Sequence, residues 1–312
     1  MRRTLYRLGV LRCERIDVPL IVVGNLVVGG SGKTPLVLWL VEFLKARGRR
    51  PGIVSRGYGG SVSSLRGGPT EVGIGSDPAV VGDEPLLLAR RSGCPVWIAA
   101  DRVAACRALR VQHPECDLIV LDDGLQHYRL ARDLEIAVVD ERGFGNGRLF
   151  PVGPLREPVS RLASVDMVVC NGASGVQGHA MRLDGGQFLR LDGSGGPVDA
   201  ATLGAQRVHA VAGIGDPPRY FRHLEALGLE VIPHPFPDHH AYVAADLDFG
   251  DDIPVVMTEK DAVKCALLFA THRRFWVLPV RAELDAGFGS AVIEKLRVIE
   301  ILRGRHGGPK AA

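Results

Sequence analysis

The junction between residues 20 and 45 constrains this chain most. An apolar run, Leu20-Ile21-Val22-Val23, leads into Gly24-Asn25-Leu26-Val27-Val28-Gly29-Gly30-Ser31-Gly32-Lys33-Thr34-Pro35, and a helix-forming stretch follows at once. A buried strand, a glycine-rich turn and Lys-Thr at a helix start together make a cradle for phosphate oxygens. Small residues let backbone N–H groups crowd against an anion, and the helix N-terminus adds partial positive charge. Lys33 can reach the outer phosphates of a nucleoside triphosphate, and the Thr34 hydroxyl can bind Mg²⁺. Residues Val27, Val28, Gly29, Gly30, Ser31, Gly32, Lys33 and Thr34 are therefore the candidate nucleotide-binding set. The usual spacing places glycine at position 27, where this chain has Val27; Gly29 and Gly30 supply flexibility later in the loop.

The rest of the first half alternates strands and helices. Short apolar segments at Leu20–Val23, Ile53–Ser55, Val96–Ala99, Leu118–Leu121, Leu134–Val139 and Met167–Cys170 read as strands covered on both faces. Helices are expected over Pro35–Arg47, Pro85–Arg91 and Arg102–Gln112, the first opened by Pro35 and closed by Gly48. This rhythm predicts a parallel sheet with helices on both faces, and such sheets bind ligands at the carboxyl ends of their strands. The stretch Gly57–Gly82, rich in Gly, Ser and Pro, predicts a mobile functional loop. Around Gly172–Gly196 the composition predicts a short antiparallel ribbon (Met181-Arg182-Leu183 against Phe188-Leu189-Arg190-Leu191) and a domain boundary. The α/β rhythm then resumes. Strands are expected at Val208–Val211, Val231-Ile232, Val255–Thr258 and Phe275–Val280, and helices near Arg219–Leu227, Asp261–Phe269 and Ala291–Leu302. The expected organisation is thus a P-loop NTPase-type α/β domain over residues 1–176 and a smaller α/β domain over 177–312 that closes over the cleft.

Strand ends are where chemistry is expected. Leu118–Leu121 runs into Asp122-Asp123-Gly124, and acids at that place either handle Mg²⁺, directly or through water, or cap a turn. Gln126 and His127 follow closely. Gly82-Asp83-Glu84-Pro85 puts two acids at a helix start. Capping there is worth about 1 kcal/mol; alternatively one carboxylate faces the terminal phosphate and takes a proton from an attacking hydroxyl. Arg56, before Gly57-Tyr58-Gly59, and Arg102, after Asp101, suit an anionic group or pair with a local acid. His239 and His240 are adjacent, which is not metal-pair spacing on a helix, and a carboxylate-bonded imidazole is expected instead. Thr258-Glu259-Lys260-Asp261 reads either as a helix cap or as part of the cleft wall.

Other signals bound the function. With 46% hydrophobic and 23% charged residues the chain can bury a full core, and a net charge of +3 gives no global field for nucleic acid. The six cysteines are scattered without a C-x-x-C pair, which fits a reducing compartment better than a zinc site or a disulfide framework. No apolar run reaches bilayer length, and no signal-peptide pattern is present. The first residues interleave Arg2, Arg3, Arg7, Arg12 and Arg15 with Leu5, Tyr6, Leu8, Val10 and Leu11, a pattern for either an anionic membrane surface or a short solvated helix.

Taken together, these segments resemble the tetraacyldisaccharide 4′-kinase (lipid A 4′-kinase) family. The likeness rests on the phosphate loop, Ser55-Arg56-Gly57-Tyr58-Gly59, Gly82-Asp83-Glu84-Pro85, and Asp122-Asp123-Gly124-Leu125-Gln126-His127. It continues through Gly147-Arg148-Leu149-Phe150-Pro151 with Gly153-Pro154-Leu155-Arg156-Glu157-Pro158, Phe236-Pro237-Asp238-His239, and Thr258-Glu259-Lys260-Asp261-Ala262-Val263-Lys264. The resemblance implies a kinase in lipid A biosynthesis. Its donor is ATP with Mg²⁺, and its acceptor is the 4′-hydroxyl of a tetraacyl glucosamine disaccharide 1-phosphate. It further implies Lys33 and Thr34 on MgATP, Asp83 as catalytic base with His239 as partner, and Thr34, Glu84, Asp122 and Asp123 as metal or positioning groups. Arg56 and Arg102 are similar to family residues facing the substrate. Family members usually begin with a longer apolar segment, where this sequence has the basic stretch Met1–Arg15: either the sequence starts late, or attachment at the cytoplasmic face of the inner membrane is peripheral or weak. Two rival readings of the same loop are a nucleotide-switched binding protein and a soluble kinase of a small polar metabolite.

Overall fold

The computed structural model describes residues 2–61, 67–203, 206–266, 268–269 and 273–306. After a short helix α1 (Arg2–Arg7), strand β1 (Leu20–Asn25) enters the glycine-rich loop and helix α2 (Lys33–Lys45) leaves it. The chain continues through β2 (Pro51–Ser55), β3 (Thr70–Glu71), α3 (Pro78–Val81), α4 (Asp83–Ser92) and β4 (Val96–Ile98). Then come α5 (Arg102–Gln112), β5 (Leu118–Leu121), β6 (Leu134–Asp140), β7 (Met167–Asn171), β8 (His179–Asp184) and β9 (Leu189–Arg190). The last third holds β10 (Arg207–Ala212), α6 (Pro217–Ala226), β11 (Glu230–Pro235), β12 (Val255–Thr258) and α7 (Glu259–Cys265). It ends with β13 (Phe275–Leu278), β14 (Arg281–Leu284) and α8 (Ala286–His306).

Two sheets result, in the orders β14-β8-β7-β6-β1-β5-β2-β4-β3 and β11-β10-β12-β13-β9. From β2 to β8 through β1, every neighbouring pair is parallel. The alternation of strand side chains explains the layers. Ile21 and Val23 point to one face of the first sheet, where Leu40 and Leu44 of α2, Leu86 of α4 and Phe288 of α8 cover them. Leu20 and Val22 point to the other, where Val103, Cys106 and Leu109 of α5 pack. In the second sheet, Val208, Ala210 and Ala212 meet Tyr220, Phe221 and Leu224 of α6, while Val211, Val255 and Met257 meet Ala262 and Cys265 of α7. Strands buried on both faces are what parallel sheets require.

Three expectations are corrected. The segments Met181–Leu183 and Phe188–Leu191 do not pair with each other. β8 adds to β7 in parallel and to β14 antiparallel, whereas β9 joins the second sheet against β13. Alternation marks a strand but not its partner, and the partner here lies about a hundred residues away. The strands consequently do not divide at 176/177: β8, β14 and α8 belong with the first sheet, and α8 runs over Ala286–His306. The helix expected over Asp261–Phe269 spans only Glu259–Cys265. Residues 62–66 of the expected loop and the tail from 307 lie outside the described residues.

Candidate active site

The carboxyl ends of the parallel strands of both sheets face a common cavity of about 950 Å³. The first sheet contributes the loop after β1, Arg56 after β2, Arg102 after β4 and Asp123 after β5. The second contributes Ile214 to Asp216 after β10, Asp238 and His239 after β11, Glu259 and Lys260 after β12, and Val280 after β13.

The phosphate loop is braced from several sides. Gly32 has φ 91°, and a Cβ there would lie 2.6 Å from Asn171 Nδ2, so only glycine fits. Asn171, at the end of β7, donates to the Ser31 carbonyl (3.1 Å), Arg142 to the Gly30 carbonyl (2.6 Å), and Asn25 to the Val27 carbonyl (2.7 Å). The second sheet reaches the loop as well: Arg219 donates to Asn171 Oδ1 (3.1 Å), and a Cβ on Gly215 would stand 3.1 Å from the Gly30 nitrogen. Residues 28–35 line the cavity, but Val27 does not; it bridges to Leu155 instead. The residue at the position where the usual spacing has glycine is thus part of this bridge and not of the cavity wall.

Next to the loop lie the acids. Lys33 Nζ is 3.6 Å from Asp123, which also takes two bonds from Arg156 Nη1 (2.8 and 3.0 Å). Burial works against the Asp123 charge, yet Lys33 and Arg156 hold its pKa below the usual carboxylate value. Asp122 differs. It lies beneath the cavity wall, accepts from Ser55 Oγ (3.3 Å), and leaves Oδ1 without a partner. Burial, with the Glu84 and Asp123 charges, pushes its pKa up to about 7. Ser31 Oγ is also buried and unpartnered. Two orphaned oxygen ligands beside Lys33 and Thr34 fit a bound Mg²⁺–triphosphate. Among the described residues no group of three or more His, Cys, Asp or Glu can hold a metal by itself.

Opposite the loop, His239 Nδ1 lies 3.0 Å from both oxygens of Asp83. Asp83 comes from the first sheet and His239 from the second. Asp83 is not the N-cap of α4: Gly82 holds that position, and Asp83 accepts from the Glu84 N–H (2.8 Å) while facing His239 and Lys264 (3.7 Å). Burial alone would raise the Asp83 pKa; the His239 hydrogen bond and the ammonium groups of Lys260 and Lys264 outweigh it and hold the carboxyl below its ordinary value. The same bond raises the His239 pKa against the effect of burial. Asp83 is 3% exposed and does not line the cavity, whereas His239 does. Lys260 ties Glu84 (3.1 Å) to Asp238 (2.8 Å) across the cleft. Among the described residues, the two non-glycine positions with positive φ are Asp123 (49°) and His239 (63°). Each costs on the order of 1–3 kcal/mol, and such strain gathers at functional sites.

Arg56 and Arg102 share one wall of the cavity. Burial and then the nearby Arg56 charge push the Arg102 pKa down to about 10, and its Nε has no partner. Asp101 does not pair with Arg102; it caps α5 and binds Arg129 (2.8 Å). His240 binds Asp246 (2.9 Å) rather than the site. Thr258 caps α7 and also lines the cavity, so both readings of that junction hold.

A family model described as tetraacyldisaccharide-1-P 4′-kinase matches residues 1–297. The chain belongs to that family. The tetraacyldisaccharide 4′-kinase of Azoarcus sp. (strain BH72) is 52% identical over all of this chain and 89% of its own length. That of Alkalilimnicola ehrlichii is 56% identical over 90% of this chain and 83% of its own. Among solved structures, LpxK from Aquifex aeolicus in complex with ATP superposes with a TM-score of 0.78 at 28% identity, covering 95% of this chain and 94% of that one. This chain is thus a P-loop kinase of the α/β class with a second, smaller α/β layer. As a tetraacyldisaccharide 4′-kinase it uses ATP with Mg²⁺ to phosphorylate the 4′-hydroxyl of a lipid A precursor.

Several residues of this 4′-kinase site carried no assigned role in the sequence. Arg156 stands in a quoted motif, but only the fold brings it onto Asp123. Lys260 belongs to a segment expected either as a helix cap or as cleft wall, and the fold gives it the specific place of a bridge across the cleft. Asn171 obeys the strand-end rule and was findable by it; Arg219 gave no signal. One consequence concerns pH. The Asp122 pKa is raised above its unfolded value of about 3.9, so its contribution to stability is present at low pH and lost as pH rises through about 7. In the nucleotide-free protein, Asp122→Asn is therefore expected to raise Tm by several degrees at pH above 8 and by less near pH 5, measured by thermal unfolding. Equal shifts at both pH values would contradict it.

Proposed function

We propose that Asp83 and His239 act as one proton-accepting unit for the acceptor hydroxyl, with His239 presenting it to the cavity and Asp83 orienting and charge-balancing the ring. The 4′-oxygen attacks the γ-phosphorus as its proton passes to this pair; the bond from that phosphorus to the β–γ bridging oxygen breaks, and ADP leaves. The observation that carries this reading is that His239, hydrogen-bonded to the buried Asp83 of the other layer, lines the same cavity as the phosphate loop. Phosphoryl transfer asks the protein mainly for positioning and charge neutralisation. Lys33, Thr34 and the backbone of residues 28–32 would hold the triphosphate, with Thr34, Glu84, Asp122 and Asp123 disposed around its Mg²⁺; the ion supplies neutralisation of charge on the phosphate oxygens. Arg56 and Arg102 would hold an anionic part of the acceptor. The links across the cleft, Lys260–Glu84, Arg219–Asn171 and His239–Asp83, are polar, which suits closure of the smaller sheet over bound ligands.

The acceptor is a lipid, and we place the reaction at a membrane surface, on the cytoplasmic face of the inner membrane. None of the described helices is long and apolar enough to cross a bilayer. Peripheral attachment through the basic segment Met1–Arg15 is supported by exposed Leu8 (72%) and Val10 (67%) among arginines.

Two sets of outcomes follow. Lys33→Ala should abolish transfer with the fold retained, and Asp83→Asn should lower kcat by about 10²-fold or more with the ATP Kd nearly unchanged. If Asp83→Asn merely lowers Tm, the carboxylate serves only the helix start. Deleting residues 1–12 should weaken sedimentation with anionic vesicles, with the deficit shrinking as salt rises. Binding unchanged at low salt would remove the role of that segment.

A further inference from the structure

Beyond the cleft, residues 146–155 form a tight ribbon that no catalytic role explains. Phe150 N–H donates to the Leu155 carbonyl (2.7 Å), Leu155 N–H to the Arg148 carbonyl (3.1 Å), and Val152 N–H to the Leu149 carbonyl (3.1 Å). The Asn146 amide closes the turn on the Val152 carbonyl (3.0 Å). A ribbon this well bonded is an ordered surface, yet its tip carries Leu149 (50% exposed), Phe150 (69%) and Val152 (64%) side by side. Large apolar groups held rigidly in water cost free energy, and a cluster of them marks a contact surface. The C-terminal root of the ribbon runs into the site. Val28, which lines the cavity and is itself 46% exposed, donates to the Pro154 carbonyl (2.9 Å), and Arg156, just past the ribbon, binds Asp123. Between residues 143 and 156 the charged residues are Arg148 and Arg156, with no acid.

We propose that this ribbon is a bilayer-docking element: Leu149, Phe150 and Val152 enter the acyl region of an anionic membrane while Arg148 meets headgroups, which brings the mouth of the cavity to the lipid surface. Three observations select a bilayer over a protein partner: the contact is continuous with the wall of a site whose acceptor is a lipid, its charge is of one sign, and its apolar part is a narrow tip rather than a broad face. The inference rests on the lipid-kinase reading, and it is distinct from the basic N-terminal segment, whose binding is chiefly electrostatic.

The test uses the full chain with vesicles of phosphatidylethanolamine and phosphatidylglycerol. Phe150→Trp should show a blue-shifted emission on adding vesicles and quenching by lipids brominated along the acyl chain, and the shift should persist at high salt. Phe150→Glu should leave transfer to acceptor dispersed in detergent micelles unchanged, and lower transfer to acceptor embedded in vesicles by ~10-fold. Retained Tm in both variants is expected, since the side chain is exposed. Equal activity of Phe150→Glu in micelles and vesicles, or no spectral change for Phe150→Trp, overturns the proposal while wild-type transfer still supports the kinase. Absence of wild-type transfer in micelles would instead overturn the kinase reading. A vesicle-free, concentration-dependent self-association abolished by Phe150→Glu would assign the ribbon to a second copy of the chain and overturn bilayer docking.

Discussion

The hydrogen bond between Asp83 and His239 is the contact on which the rest of this structure turns. It joins the first turn of a helix on one sheet to a loop on the other, and it places an imidazole opposite the phosphate loop. His239 sits at φ 63°, a conformation that residues with side chains seldom adopt, whereas Gly82 at φ 91°, which glycine adopts freely, opens the helix that carries Asp83. Burial would drive Asp83 toward the neutral form; the surrounding cations reverse that, so the pair stays polarised. His239, held by Asp83, thereby lines the same cavity as the phosphate loop, Arg56 and Arg102.

Charge is distributed unevenly around that cavity. The outer acid, Asp123, is held ionised by Lys33 and Arg156, while the inner acid, Asp122, is held near neutrality by burial and by two neighbouring carboxylates. Arg102 is similarly discouraged from its charge by burial and by Arg56. Asp122 Oδ1 and Arg102 Nε are buried without a partner. A triphosphate with its magnesium ion and an anionic acceptor would relieve them together, which is how binding energy can be directed to positioning.

Much of this was legible in the chain. The strand–loop–helix at residues 20–45 announces itself because glycine, lysine and threonine each have a distinct physical task there, and the rule that parallel sheets bind ligands at strand ends then located Arg56, Arg102 and Asp123. Asp83 was ambiguous because a carboxylate at a helix start stabilises the helix whether or not it does chemistry; its contact with His239, 156 residues away, is one that sequence spacing does not reveal. Sheet membership was less readable. β8 and β14 pair across about a hundred residues, and alternating hydrophobicity carries no information about so distant a partner. Val27 looked like a flaw in the loop until its bridge to Leu155 showed that the loop is tied to the 146–155 ribbon.

If one residue from each sheet forms a single proton-accepting unit, their effects on catalysis must be coupled. The most direct measurement is a double-mutant cycle on kcat for transfer from ATP to the disaccharide acceptor, using Asp83→Asn, His239→Gln and the pair. The double variant is expected to be no slower than the slower single variant, within a factor of about three. Losses that multiply, with the double variant slower by the product of the two, would mean that the groups act independently and that the cleft contains no such unit.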